Sequence, residues 1–157
     1  MKLIKYTFEF LIIILLFLLF KLVGLRISQT IAGFIFKNFG PLFRSKKTSC
    51  ANLSIAFPNL NEPQKNKIMN NMWINYGKIF SEYMFIEKFR TSPKFSNQII
   101  IENQSQLEKI KLSNKPVIFI SGHFNNFELM AMHLEKSGID LAAVYRPLNN
   151  SLLNPIM

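Results

Sequence analysis

The stretch Lys115-Pro-Val-Ile-Phe-Ile-Ser-Gly-His-Phe-Asn-Asn-Phe-Glu-Leu129 decides how this chain is read. Pro116 to Ser121 is a continuous apolar run bounded by proline and glycine, the pattern of a parallel strand buried on both faces. Residues 126–137 then read as a helix, with Phe127, Met130, Ala131 and Leu134 on one side and Gly138 as its C-cap. Leu141 to Tyr145 reads as a second buried strand, so the two runs and the helix predict a right-handed βαβ unit. Upstream, Gln98-Ile-Ile-Ile-Glu102 has β character and Gln104 to Lys111 reads as a short surface helix. The expected fold class is therefore α/β: an N-terminal membrane anchor and helices, followed by a partial, mostly parallel sheet with flanking helices. The chain stops soon after the second strand, at Asn154-Pro-Ile-Met157, which leaves an open sheet edge and an architecture incomplete at the C-terminus. The expected divisions are an anchor over residues 1–25, a membrane-proximal helical region over 26–92, and the start of an α/β core over 93–157.

The anchor rests on an apolar run from Phe10 to Phe20, too short alone for a bilayer that needs about 20 residues. From Leu3 to Leu25 the stretch is long enough, with Lys5 and Lys21 placed to snorkel toward opposite interfaces and Glu9 between them. A cleaved signal peptide shares the basic start and apolar centre, but no small-x-small site follows Phe20, which favours an uncleaved anchor. Basic residues flank both sides and dominate after the run, so the following domain is expected in the cytoplasm. Whether the segment spans the bilayer or dips into one leaflet stays open. Residues 26–39 continue at helical spacing (Ile27, Ile31, Phe34, Ile35, Phe39) until Gly40-Pro41, and their basic margins fit a helix lying in a membrane interface.

Beyond it, Arg44 to Phe57 reads as a helix stopped by Pro58-Asn59. Asn61 then caps a helix with Pro63 in its first turn. Its apolar stripe of Ile68, Met72, Tyr76, Ile79 and Tyr83, widened by Met69, Trp73, Phe80 and Met84, predicts a core-facing helix to about Glu87. Glu82 beside the stripe reads as a solvated or structurally paired carboxylate.

Charge supports a membrane setting. The net charge is +10 and 49% of the residues are hydrophobic. Residues 1–61 carry eight Lys or Arg against the one acid Glu9, so the positive excess sits beside the most apolar segment. That distribution suits an anionic membrane surface, and no nucleic-acid-binding motif accompanies it. Cys50, the single cysteine, excludes an internal disulfide and reads as a small buried hydrophobe.

The chemistry lies at the strand-to-helix turn. Gly122 allows a sharp turn and His123 leaves the strand end, where α/β folds place their ligands. Glu128 follows five residues later, so the loop can return its carboxylate toward the imidazole. A neutral imidazole can then take a proton from a hydroxyl while Glu128 fixes its tautomer and stabilises the imidazolium. The helix N-terminus adds N–H groups for a phosphate or a developing oxyanion. A capping reading stands beside this one: with Asn125 as N-cap, Glu128 falls at the third helical position and completes a capping-box-like pair. His133 reads as structural, and no Cys/His spacing predicts a metal.

These motifs, taken in order, resemble the late acyltransferases of lipid A biosynthesis, the lauroyl/myristoyl transferase family. Asn52-Leu53 with Phe57-Pro58, Asn75-Tyr-Gly-Lys-Ile-Phe-Ser-Glu82, Lys115 to Phe124 with its His-x4-Glu continuation, and Val144-Tyr-Arg-Pro-Leu-Asn-Asn150 all match that family's segments. The resemblance implies a glycerolipid-acyltransferase-like core at the cytoplasmic face of the inner membrane. It implies transfer of a fatty acyl group from acyl carrier protein to a hydroxyl of an acylated lipid A precursor, with the carrier's thioester as donor and no further cofactor. On this chain, His123 is then the general base and Glu128 its partner. Asn126 shapes the turn and counts with Arg146 as substrate-binding, Arg146 for a substrate phosphate or the carrier's phosphopantetheine. Phe127 stands where the family usually has Trp, and Asn125 replaces a common Gly. The family's chains are about twice this length, so the resemblance implies an amino-terminal fragment, inactive alone. Two other readings remain: acylation of a glycerophospholipid, glycolipid or ornithine lipid, and a non-catalytic membrane-binding stub.

Overall fold

The computed structural model describes residues 2–113, 115–144 and 146–156. It divides the chain into two compact units, residues 1–84 and 85–157. The first is built from four helices: α1 (Lys2–Val23), α2 (Leu25–Phe39), α3 (Lys46–Ala56) and α4 (Glu62–Glu82), with a 3-10 turn over Gly40–Leu42. Gly24 separates α1 from α2 with φ +81° and ψ +168°, a conformation open essentially to glycine alone. The Ser28 hydroxyl, fully buried, donates across this break to the carbonyls of Gly24 (2.7 Å) and Phe20 (3.0 Å).

One of the expected helix boundaries appears with its cap. Asn61 accepts from the Gln64 amide while the Gln64 side chain accepts from the Asn61 amide, each at 2.9 Å, and Pro63 sits in the first turn of α4. The Arg44–Phe57 expectation becomes Lys46–Ala56, ending before Pro58. The long helix expected to reach Glu87 instead ends at Glu82 and tightens into a 3-10 turn, Tyr83–Phe85.

The buried side of α4 also differs from the expected stripe. Met69, Gly77 and Ser81 are buried, whereas Ile68 and Tyr76 stay exposed. Backbone proximity explains the rotation. A Cβ on Gly77 would overlap the Ala32 carbonyl of α2, and one on Gly40 would run into the Trp73 ring, so the helices meet where side chains are smallest. Around that contact the Phe80 ring lies 5.1 Å from Phe17, 5.4 Å from Phe36 and 6.3 Å from Phe20, centroid to centroid. The Gln29 amide donates to Glu82 at 2.8 Å, so that carboxylate is structurally paired. Cys50 is half-buried, its Sγ 3.8 Å from the Met69 Sδ.

α1 is long and apolar enough to cross a membrane. Phe17 and Phe20 are its buried residues, and most of its leucines and isoleucines face outward. Lys5 lies 3.7 Å from Glu9, one turn on, which moderates the acid inside the apolar stretch.

The second unit holds α5 (Ile86–Thr91), α6 (Pro93–Ser96), α7 (Gln104–Ser113), α8 (Glu128–Lys136) and a 3-10 turn, Ser151–Leu153. Its aromatic centre is Phe85, fully buried and stacked 6.1 Å from Phe95, with Phe89 edge-on to Phe95 at 5.5 Å. The Lys88 ammonium lies 5.4 Å from the Phe85 ring centre, within cation–π range.

The expected α/β class is corrected here. Among the described residues there is no strand and no sheet; the regular elements are all helical. Residues 116–121 and 141–144 have no regular structure, as do residues 99–101, and Tyr145 lies outside the described residues. The physical reason is cover. A parallel strand is stable when neighbours pair both edges and helices bury both faces, and a two-stranded pair alone is marginal. Here the runs leave Ile118 and Ile120 87% and 93% exposed. They flank an open cleft of about 800 Å³ floored by Met130, Ala131 and Leu134 of α8.

Candidate functional site

The turn carrying His123 and Glu128 is shaped by residues on either side of the imidazole. Before it, a Cβ on Gly122 would collide with the Phe124 ring, so glycine permits that close approach. After it, Asn125 adopts φ +53°, the left-handed region that asparagine tolerates better than other non-glycine residues. Asn125 is therefore not the N-cap, and the capping-box reading of Glu128 is overturned. The N-cap is Phe127, without a side-chain cap bond, and Glu128 is the first helical residue rather than the third. Its carboxylate lies in the first turn of α8, where the helix dipole favours negative charge.

Phe127 does something else in addition. Its ring stacks on the His123 imidazole, centroids 4.3 Å apart and planes 13° from parallel. The stack fixes the imidazole plane while leaving His123 exposed to solvent. Glu128 is half-buried, and among the described residues no ion pair joins it to His123. Asn126 is buried in the same turn, and its carbonyl accepts from the Leu129 amide at 3.3 Å. Arg146 is exposed, and among the described residues neither a hydrogen bond nor an ion pair links it to His123 or Glu128. The structure thus brings His123, Asn126, Phe127 and Glu128 together on one turn, with Arg146 in a separate segment.

The far end of α8 is better anchored than its start. Gly138, at φ +79°, donates to the Glu135 carbonyl (2.9 Å) and Ile139 donates to Leu134 (3.3 Å), the two bonds of a Schellman motif. The Lys111 ammonium donates to the Ser137 carbonyl at 3.0 Å, placing a cation at the negative end of the helix dipole. Arg90 of α5 pairs with Glu135 at 2.7 Å. The His133 ring lies 3.3 Å from the Ser137 hydroxyl, one turn on. Sequence reasoning passed over Lys111 and Arg90, because neither lies near the motif and each acts on α8 from another element. Among the described residues no group of His, Cys, Asp or Glu is arranged to hold a metal ion. Downstream, Asn150 is buried and caps the Ser151–Leu153 turn, accepting from the Leu152 amide at 3.2 Å.

Comparison with known proteins identifies relatives of the chain. Lipid A biosynthesis acyltransferase 2 of Shigella flexneri is 26% identical over 112 residues, which cover 71% of this chain and 35% of that protein. The chain thus matches about a third of the length of that curated relative. No solved structure matches. The family description of bacterial lipid A biosynthesis acyltransferases matches residues 1–157, the entire chain, and the chain belongs to that family.

Proposed function

We propose that the protein transfers a fatty acyl group from acyl carrier protein to a hydroxyl of an acylated lipid A precursor, with His123 as general base and Glu128 as its partner. The observation that carries this reading is the family match over the whole chain, which includes the His123–Glu128 turn. The exposed imidazole is open to an incoming hydroxyl, and Phe127 presents it in a fixed plane. In the reaction His123 takes the hydroxyl proton as the oxygen attacks the thioester carbonyl. Glu128 stabilises the imidazolium, and the carrier's thiolate leaves as the proton returns to it. This requires Glu128 to approach the ring when substrate binds; acid–base contacts in substrate-free sites are often longer than in the reacting complex. Asn126 holds the turn from within. Arg146 supplies a cation for a phosphate of the acceptor or of the carrier's phosphopantetheine. α1 holds the protein in the inner membrane, with the site on the cytoplasmic side.

The test is acyl transfer from acyl carrier protein to a lipid A precursor by the full natural protein and by its His123→Ala variant. The variant is expected to lose about 10²–10⁴-fold in rate, the usual contribution of a general base, while still sedimenting with membranes. Near-wild-type turnover would overturn the assignment.

A further inference from the structure

The first unit leaves an apolar surface that its own helices do not cover. On α2, Ser28, Ala32 and Gly33 are buried. Ile27 and Phe34, seven residues apart and hence on one side of the helix, are exposed. Where α2 ends, the Gly40–Leu42 turn pushes Leu42 and Phe43 outward, 78% and 86% exposed. Arg44, Lys46 and Lys47 follow at once, all exposed, and no acid occurs between Glu9 and Glu62. A bulky apolar tip followed by clustered cations, with no acid in the flanking sequence, complements a bilayer interface of anionic lipid. The tip enters the acyl boundary and the cations meet the phosphates.

We propose that Leu42 and Phe43, together with the Ile27–Phe34 face of α2, form a second membrane contact separate from α1, held on anionic lipid by Arg44, Lys46 and Lys47. This contact stands independently of the acyl-transfer reading and of how deeply α1 enters the bilayer. It keeps the start of α3 at the headgroup level, because Lys46 and Lys47 form its first turn.

The test uses the full chain with Cys50→Ser and Phe43→Cys, labelled at position 43 with an environment-sensitive fluorophore. The label is expected to shift to the blue and to become shielded from aqueous iodide on vesicles containing phosphatidylglycerol, and much less on phosphatidylcholine alone. Replacing Arg44, Lys46 and Lys47 by Gln is expected to weaken local insertion about five-fold per residue, while sedimentation through α1 persists. Three results would overturn the proposal. One is a label that stays aqueous although the protein sediments with anionic vesicles. The second is insertion that is indifferent to lipid charge and to the three basic residues. The third is a label already shielded before vesicles are added, which means that protein covers this surface.

Discussion

The two units of this chain, similar in length, are held together in different ways. Residues 1–84 fold by helix against helix, with glycine and alanine at the closest approach and four phenylalanines around it. Residues 85–157 centre on a smaller aromatic cluster and on one well-terminated helix, while two apolar runs remain in solvent. Helices satisfy their backbone locally and need one buried face. Parallel strands satisfy theirs only through distant partners and need two. The contrast is between structure that a short segment can specify and structure that depends on what surrounds it.

The comparison can be broken most sharply at Phe85. Its ring is fully buried in the second unit, and Phe85→Ala is expected to cost about 3–5 kcal/mol. Urea unfolding followed by circular dichroism would measure this. A cost below about 1 kcal/mol would mean that the aromatic cluster does not organise this unit. In the first unit, Gly77→Ala is expected to destabilise by about 1–3 kcal/mol, because the added methyl meets backbone rather than a yielding side chain. A neutral result in the same titration would show that α2 and α4 can separate without loss. The smallest effect belongs to the unpaired runs. Ile120→Ser is expected to change stability by less than about 0.5 kcal/mol, since the side chain is 93% exposed. A larger loss there would reveal burial that the unpaired arrangement lacks.

Legibility in the sequence followed the same division. Asn61 with Pro63 announced the start of α4, and Gly138 announced the end of α8, because caps are written within a few residues. The Pro116–Ser121 run announced burial that it does not have, because an apolar run records an affinity and not its partner. The buried side of α4 was misplaced for a related reason: glycine carries no hydrophobic signal, yet Gly77 is where α2 comes closest. At the candidate site, both residue types and their placement on one turn were readable. The helical position of Glu128 was not, because Asn125 takes a left-handed conformation that its side chain's capping preference does not foretell.

The indole that leaves no room for a side chain at Gly40 has an optical consequence. Trp73 is the single tryptophan of the chain, so all tryptophan emission comes from the α2–α4 contact in the first unit. An unlabelled sample therefore carries a reporter of that unit alone, while backbone circular dichroism sums over both. Where the two signals change at different urea concentrations, the molecule itself separates the stability of one unit from that of the other.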